Sequence, residues 1–404
     1  MIDILENDLV KSNIYYGNEV IKNLNDYIIA NFKYQKVLFF CSVDNYENVK
    51  SNFCCADYEI IVLAMECFDI GELDKIAEGI KCEVRLLVGI GDFELVQAVK
   101  YIASIKDMPF VLIKKELPLV EEMLDVSILY DGVYVDNISK KPERIFLDSD
   151  AICMATRRNI SECVYSMINK IGYFEDYYLR YLIHKEDFNC KDFALFKDIY
   201  NKLYNILDKV AMLESEALLR LGDLVLCLGV LLHRLGYSVR EDKLYVFSNL
   251  YLLFTGKSYN GYEYALSGQI GLQATNKVYE KFIKKIGNMN FEYIDVVRRV
   301  EMFDKCFRNF KIDYNAYEMP NVERLQFILK RNQAILNQKV NVLSQISVKL
   351  LNKSFLVLED SGYNISRGTD AYAVVKAVTY CSDVVCGNSF IKIVRDFGAL
   401  EMYE

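Results

Sequence analysis

Short apolar runs bounded by turn residues recur through the first 150 residues. Lys36-Val-Leu-Phe-Phe-Cys41, Tyr58-Glu-Ile-Ile-Val-Leu-Ala64, Glu83-Val-Arg-Leu-Leu-Val88 and Met108-Pro-Phe-Val-Leu-Ile113 each read as a buried strand. Helical periodicity fills the gaps, most plainly from Ile70 to Ile80. Such alternation predicts parallel strands joined by crossover helices. From Ser127 to Val135 the pattern changes to two short strands around Asp131-Gly132, a hairpin signal, and Arg144-Ile-Phe-Leu-Asp148 then closes the sheet. Beyond about residue 152 the period is that of helices, with amphipathic segments over 158–185, 192–235, 262–285, 290–309, 321–359 and 368–400. Only four prolines occur in the chain, which suits a helix-rich fold. The expected architecture is an α/β Rossmann-like domain over 1–150 and an all-helical domain over 151–404, with the cleft between them as the default place for a site.

Composition narrows the functions. With 404 residues, 52% of them hydrophobic, the chain can bury one or two substantial cores. A formal charge of -8 argues against a general nucleic-acid binder, because affinity for a phosphate backbone comes from lysine and arginine. The 30 tyrosines and 23 phenylalanines stand at helical spacing rather than among basic residues, so they read as core and not as base-stacking platforms. No signal peptide is legible at the N-terminus, and the longest apolar runs, such as Leu224 to Leu232, are too short to span a bilayer. Twelve scattered cysteines without a C-x-x-C pair read as thiols in a reducing cytoplasm. Only two histidines are present, His184 and His233, and both read as packed or rim residues, which excludes any mechanism needing two or three histidine ligands.

The stretch Val88-Gly-Ile-Gly-Asp92 followed by Phe93 to Ala103 reads as strand, tight turn and helix. Gly89 and Gly91 would let the backbone approach a pyrophosphate at the helix start. A third glycine is absent and Asp92 places an anion there, so a purely structural turn explains it equally well. Phe254-Thr-Gly-Lys-Ser258 has the end of a P-loop but neither its first glycine nor a leading strand, and reads as a loop between helices. Arg298-Arg299 with Glu301 and Lys305 reads as a solvated helix face.

In order and spacing these motifs resemble the superfamily of dehydroquinate synthase, glycerol dehydrogenase and iron-containing alcohol dehydrogenases, and within it bacterial sn-glycerol-1-phosphate dehydrogenases. The resemblance rests on Val88 to Ala103, Pro109-Phe-Val-Leu-Ile113, Lys141-Pro-Glu-Arg-Ile-Phe-Leu-Asp148, the stretch Arg158 to Tyr177 with Lys170 and Asp176-Tyr177, Leu358-Glu-Asp-Ser-Gly362 and Phe397-Gly-Ala-Leu400. It implies NAD(P) on the glycine turn, with Gly89, Gly91, Asp92, Asp44 and Lys115 as the cofactor-facing positions. It also implies a divalent metal held by one aspartate and two histidines, which would polarise a carbonyl or alkoxide for hydride transfer.

The ligand positions depart from the family. The aspartate falls on Ser166, the first histidine element on Tyr245 to Tyr251 with Asn249, and the last histidine on Leu266 or, shifted by one, Ser267. The Arg-x-Arg-x-Thr element that would meet a substrate phosphate becomes Val385-Cys-Gly-Asn-Ser389. The resemblance therefore implies a diverged member without its metal and without the ancestral activity, keeping a nucleotide or small-molecule ligand or acting as an interaction protein, with homo-oligomerisation left open. The alternative is a working NAD(P)-dependent oxidoreductase on a polyol phosphate or small carbonyl compound. Glu162, Lys170 and Asp176, with Ser166 and Gln269, would then share acid and base duty.

Overall fold

The computed structural model describes residues 14–18, 20–32, 35–53, 57–63, 69–124, 126–130, 134–138, 140–257, 260–286, 322–358, 369–385, 389–397 and 400. Six strands form one parallel sheet: β1 (Ile14–Gly17), β2 (Lys36–Cys41), β3 (Tyr58–Val62), β4 (Val84–Ile90), β5 (Phe110–Lys114) and β8 (Arg144–Asp148), in the order β1-β8-β5-β4-β2-β3. Strands β2, β4 and β5 are buried nearly end to end. Continuous apolar runs of this kind are what a parallel sheet covered on both faces requires. One core cluster gathers Val37, Phe39, Val88, Val111 and Phe146 with Leu24 and Ile28. β6 (Val126–Tyr130) and β7 (Tyr134–Ile138) pair antiparallel apart from the sheet, Tyr130 opposite Tyr134, while the turn at Asp131-Gly132 lies outside the described residues.

Two features differ from the periodicity. β1 was not among the expected strands. It forms the sheet edge, and β8 lies between β1 and β5 instead of closing the sheet. Burial explains the order: Ile145, Phe146 and Leu147 of β8 are buried, whereas all four residues of β1 are half-exposed, as an edge strand permits.

The helices are α1 (Val20–Asn31), α2 (Tyr46–Asn52), α3 (Ile70–Gly79), α4 (Phe93–Ile105), α5 (Ser149–Cys153), α6 (Arg157–His184), α7 (Cys190–Ala211), α8 (Ser215–Arg234), α9 (Lys243–Thr255), α10 (Gly261–Lys285), α11 (Val322–Leu358), α12 (Ala371–Val384) and α13 (Phe390–Asp396). The expected helix over 192–235 breaks between Ala211 and Ser215, where Leu213 takes a φ of 59°. The segment 368–400 likewise divides into α12 and α13, and the expected helix over 290–309 lies outside the described residues. Periodicity misses α9 because every residue from Lys243 to Leu252 is buried, leaving no polar face to reveal the 3.6-residue repeat. α9 ends at Gly256, whose φ of 64° suits a left-handed C-cap, so Phe254-Thr-Gly-Lys257 is a helix terminus rather than a phosphate loop.

The chain divides into two compact units. The first comprises Met1–Val164, Phe196–Gly236 and Asn260–Tyr262; the second comprises Tyr165–Leu195, Tyr237–Tyr259 and Glu263–Glu404. Within the second, glycines set how closely three helices pack. A Cβ on Gly172 of α6 would stand 2.6 Å from Leu244 of α9, and one on Gly271 of α10 2.5 Å from Phe247 of α9. A Cβ on Gly268 would collide with the Asn169 side chain of α6. The Gln-Ile-Gly motif of α10 thus has a packing reason for its glycine.

Candidate functional site

In the first unit, β4 ends in the glycine turn and α4 begins at Phe93. Gly89 is there because α4 and β5 press on it: an added Cβ would lie 3.0 Å from Leu112 and 3.1 Å from Val99. At Gly91 it would meet Leu95 at 3.0 Å. Asp92 is the N-cap of α4, its carboxylate accepting a hydrogen bond from the Leu95 N–H at 3.1 Å. Glu94 engages its own backbone N–H and accepts from the Gly261 N–H at 3.1 Å. Two of the amides that a phosphate would use are therefore already met by carboxylates of the chain itself.

Acid gathers around this turn. Burial, aided by the charges of Asp92 and Glu162, pushes the Glu94 carboxyl up to about 8. Burial, with Glu116 nearby, pushes Glu162 up to about 7 despite its 3.2 Å ion pair with Arg158. A Cβ on Gly261 would lie 3.7 Å from the Glu162 carboxyl carbon, so Glu94 and Glu162 flank the same backbone. Lys114, fully buried at the end of β5, pairs with Glu122 at 2.9 Å and Glu116 at 3.1 Å. Burial opposes its charge, but those carboxylates outweigh it and hold the ammonium above the usual lysine range. Glu122 is itself raised to about 6, chiefly by burial. Lys115, the expected phosphate partner, is half-buried, and burial lowers its pKa against the pull of Asp148. Asp44 is exposed on a short turn after β2. This donor set does not fit a pyrophosphate: acids outnumber cations, and the buried cation is already paired.

In the second unit, the inward faces of α6, α9 and α10 carry a buried polar network. The Lys170 ammonium donates to the Tyr237 hydroxyl at 2.9 Å and to Asp242 at 3.2 Å. Asp242 also caps α9, accepting from the Leu244 and Tyr245 N–H groups. One residue on, Lys243 donates to Glu175 at 2.7 Å and Asp176 at 3.0 Å, its charge lying 4.2 Å from the Tyr279 ring centroid. Asp176 further accepts from the Tyr279 hydroxyl at 2.9 Å and from Ser389 at 2.5 Å. Burial opposes charge on Lys243, and Asp176 and Glu175 more than offset it.

The positions aligned with metal ligands are all buried in this unit: Ser166 on α6, Asn249 on α9 and Leu266 on α10. Beside them, Gln269 donates to the Tyr165 carbonyl at 3.0 Å and to Asn169, which donates to the Ala265 carbonyl at 3.0 Å. A hydroxyl, an amide and an alkyl chain make no site for a catalytic divalent ion, and the carboxylates of this unit's buried network, Glu175, Asp176 and Asp242, are already engaged by lysine. Among the described residues no group of three or more His, Cys, Asp or Glu side chains is placed to hold a metal. Of the residues expected to share acid and base duty, Lys170 and Asp176 have separate partner sets, and Glu162 belongs to the first unit. His233 contacts Lys141 at 2.9 Å at the exposed end of α8, and burial lowers the His184 pKa at the end of α6.

Lys243, Glu175, Asp242 and Glu94 escaped the motif reading. A signal was present for one of them, since Asp242 before the apolar run of α9 is a helix-start pattern. The others are legible only from their partners, which lie far away in sequence.

The sequence matches no protein-family model and no curated protein. Solved structures do match in fold. An iron-containing alcohol dehydrogenase from Thermococcus thioreducens superposes with a TM-score of 0.59 at 11% identity, covering 93% of this chain and 91% of its own. The NADH-dependent butanol dehydrogenase A of Thermotoga maritima gives 0.57 at 13% identity, over 96% and 90%. A probable glycerol dehydrogenase from Sinorhizobium meliloti 1021 gives 0.55 at 14%, over 80% and 97%. The parallel sheet followed by helices is thus the two-domain fold of the iron-containing alcohol dehydrogenase and dehydroquinate synthase group, as the sequence motifs implied.

Proposed function

We propose that this chain is a metal-independent pseudoenzyme on the dehydrogenase fold, one that performs no hydride transfer and acts by binding. The observation that carries this reading is the lysine pairing of the second unit: Lys243 pairs with both Glu175 and Asp176, and Lys170 pairs with Asp242, while Ser166, Asn249 and Leu266 stand at the positions that the resemblance aligns with the metal ligands. A fixed ammonium supplies positive charge without the open coordination position that a carbonyl or alkoxide needs. Its ordinary setting is the cytoplasm, where the seven described cysteines, all free thiols, would persist.

The test combines metal content with turnover. Protein purified with zinc, nickel or iron in the medium is analysed by mass spectrometry for bound metal. NADH and NADPH oxidation is then followed with dihydroxyacetone phosphate, the substrate suggested by the likeness to glycerol-1-phosphate dehydrogenases, and with butanal. Substoichiometric metal and no turnover are expected. One tightly held ion per chain together with turnover would overturn the reading.

A second reading, an active NAD(P)-dependent oxidoreductase on a polyol phosphate, is favoured by one observation. Glu162, raised to about 7, carries a proton that moves near neutrality, as a general acid or base needs. Turnover abolished by Glu162→Gln, without loss of folding, would establish it.

A further inference from the structure

We propose that the exposed face of α11 is a docking surface for an acidic, amphipathic helix of a partner protein. α11 is anchored by its other side, where Leu325, Leu329, Leu336, Val340, Leu343 and Leu350 are buried. Its outward side nonetheless carries Phe327 (64% exposed), Ile335 (44%), Val342 (39%) and Val348 (45%). They stand at intervals of eight, seven and six residues, about one for every two helical turns, on the side of α11 turned away from the buried leucines. Lys330, Arg331, Gln338, Gln345 and Lys349 are exposed among them.

Charge selects the occupant. The 37 residues of α11 include six basic side chains (Arg324, Lys330, Arg331, Lys339, Lys349, Lys353) and a single acid, Glu323, in a chain whose formal charge is -8. A second copy laid on this face, parallel or antiparallel, would set bases against bases, which side-chain charges flanking a helical seam forbid. A lipid surface wants a continuous apolar band, whereas the continuous apolar face of α11 is turned into the protein and only four separated apolar side chains are left outside. What remains is an amphipathic helix whose apolar side meets these side chains and whose Asp or Glu residues meet the basic ones, steered by the opposite charge. The inference does not rest on the loss of dehydrogenase activity, and an active enzyme could carry the same surface.

The experiment uses the full chain and a fluorescein-labelled synthetic helix of roughly four heptads, with Leu along its seam and Glu on both flanks so that it repels itself. Fluorescence anisotropy should report saturable binding that weakens as salt rises, and no binding by the same peptide with Lys in place of Glu. Phe327→Glu with Ile335→Glu, and separately Lys330→Glu with Arg331→Glu, should each weaken binding about tenfold or more. Phe327→Leu should keep it, and circular dichroism and Tm should be unchanged, since all these residues are exposed. Absence of binding, equal binding of the Lys peptide, or insensitivity to both charge-introducing pairs would overturn the proposal. So would co-sedimentation with phosphatidylserine vesicles in place of peptide binding, or a dimer that Phe327→Glu dissociates in the ultracentrifuge.

Discussion

Lys243 and Asp176 form a buried ion pair, Nζ to Oδ1 3.0 Å, joining the first residue of α9 to the middle of α6. Glu175 completes the pair at 2.7 Å, so one ammonium serves two adjacent carboxylates. Lys243→Met would leave those carboxylates in the interior without a counter-ion, which costs about 3–5 kcal/mol. Urea denaturation should show that loss, and the triple variant Lys243→Met, Glu175→Gln, Asp176→Asn should recover a large part of it. A single-variant loss below about 1 kcal/mol would mean that the cluster is not the buried unit described.

The Glu94 carboxyl gives stability a pH dependence. Its folded value of about 8 lies above its ordinary value of 4.5, so the folded chain holds a proton that the unfolded chain releases. Stability from this group is fully present below about 4.5 and is lost as pH rises through about 8. Glu94→Gln keeps an oxygen for the Gly261 N–H and removes the titration. Its thermal melts should match the parent near pH 4.5 and exceed it increasingly toward pH 9; a pH-independent difference would contradict the assignment.

Asp92 distinguishes a cap from a ligand-facing charge. If its role is to accept from Leu95, Asp92→Asn should be nearly neutral and Asp92→Ala should cost about 1 kcal/mol in chemical denaturation. Equal costs for the two substitutions would mean that the charge itself, and not the cap, is what the fold uses.

Glycine substitutions separate packing from freedom. Gly271→Ala drives a Cβ to 2.5 Å from Phe247 and should destabilise by about 1–3 kcal/mol. Gly79→Ala, at the end of α3 with nothing within 4 Å, should stabilise by about 0.4–1 kcal/mol through the unfolded chain. Melting temperatures moving in the same direction would refute the packing account of the α9–α10 crossing.

The fold was legible where periodicity is local. Strands β2, β3, β4 and β5 read as apolar runs, and α6, α10 and α11 read as amphipathic stretches, because one covered face leaves a repeat in the sequence. α9 was illegible for the opposite reason, having no uncovered face over its first ten residues, Lys243 to Leu252. Of the candidate site, the absence of histidine at Asn249 and Leu266 and the weak Ser166 were readable directly. What fills the space was not, since Lys170 meets Asp242 across 72 positions and Lys243 meets Asp176 across 67.

By itself the sequence determined the class of fold, the glycine turn after β4 and which side chains stand at Ser166, Asn249 and Leu266, since side-chain chemistry and short-range repeats are properties of neighbours along the chain. Only the tertiary structure decided that β8 enters the sheet interior, that Asp92 and Glu94 engage amides of the turn, and that two lysines pair with three carboxylates of the helical core. Those outcomes depend on which distant groups are brought within hydrogen-bond range while water is excluded, and burial then fixes whether a charge must find a partner or give up its proton.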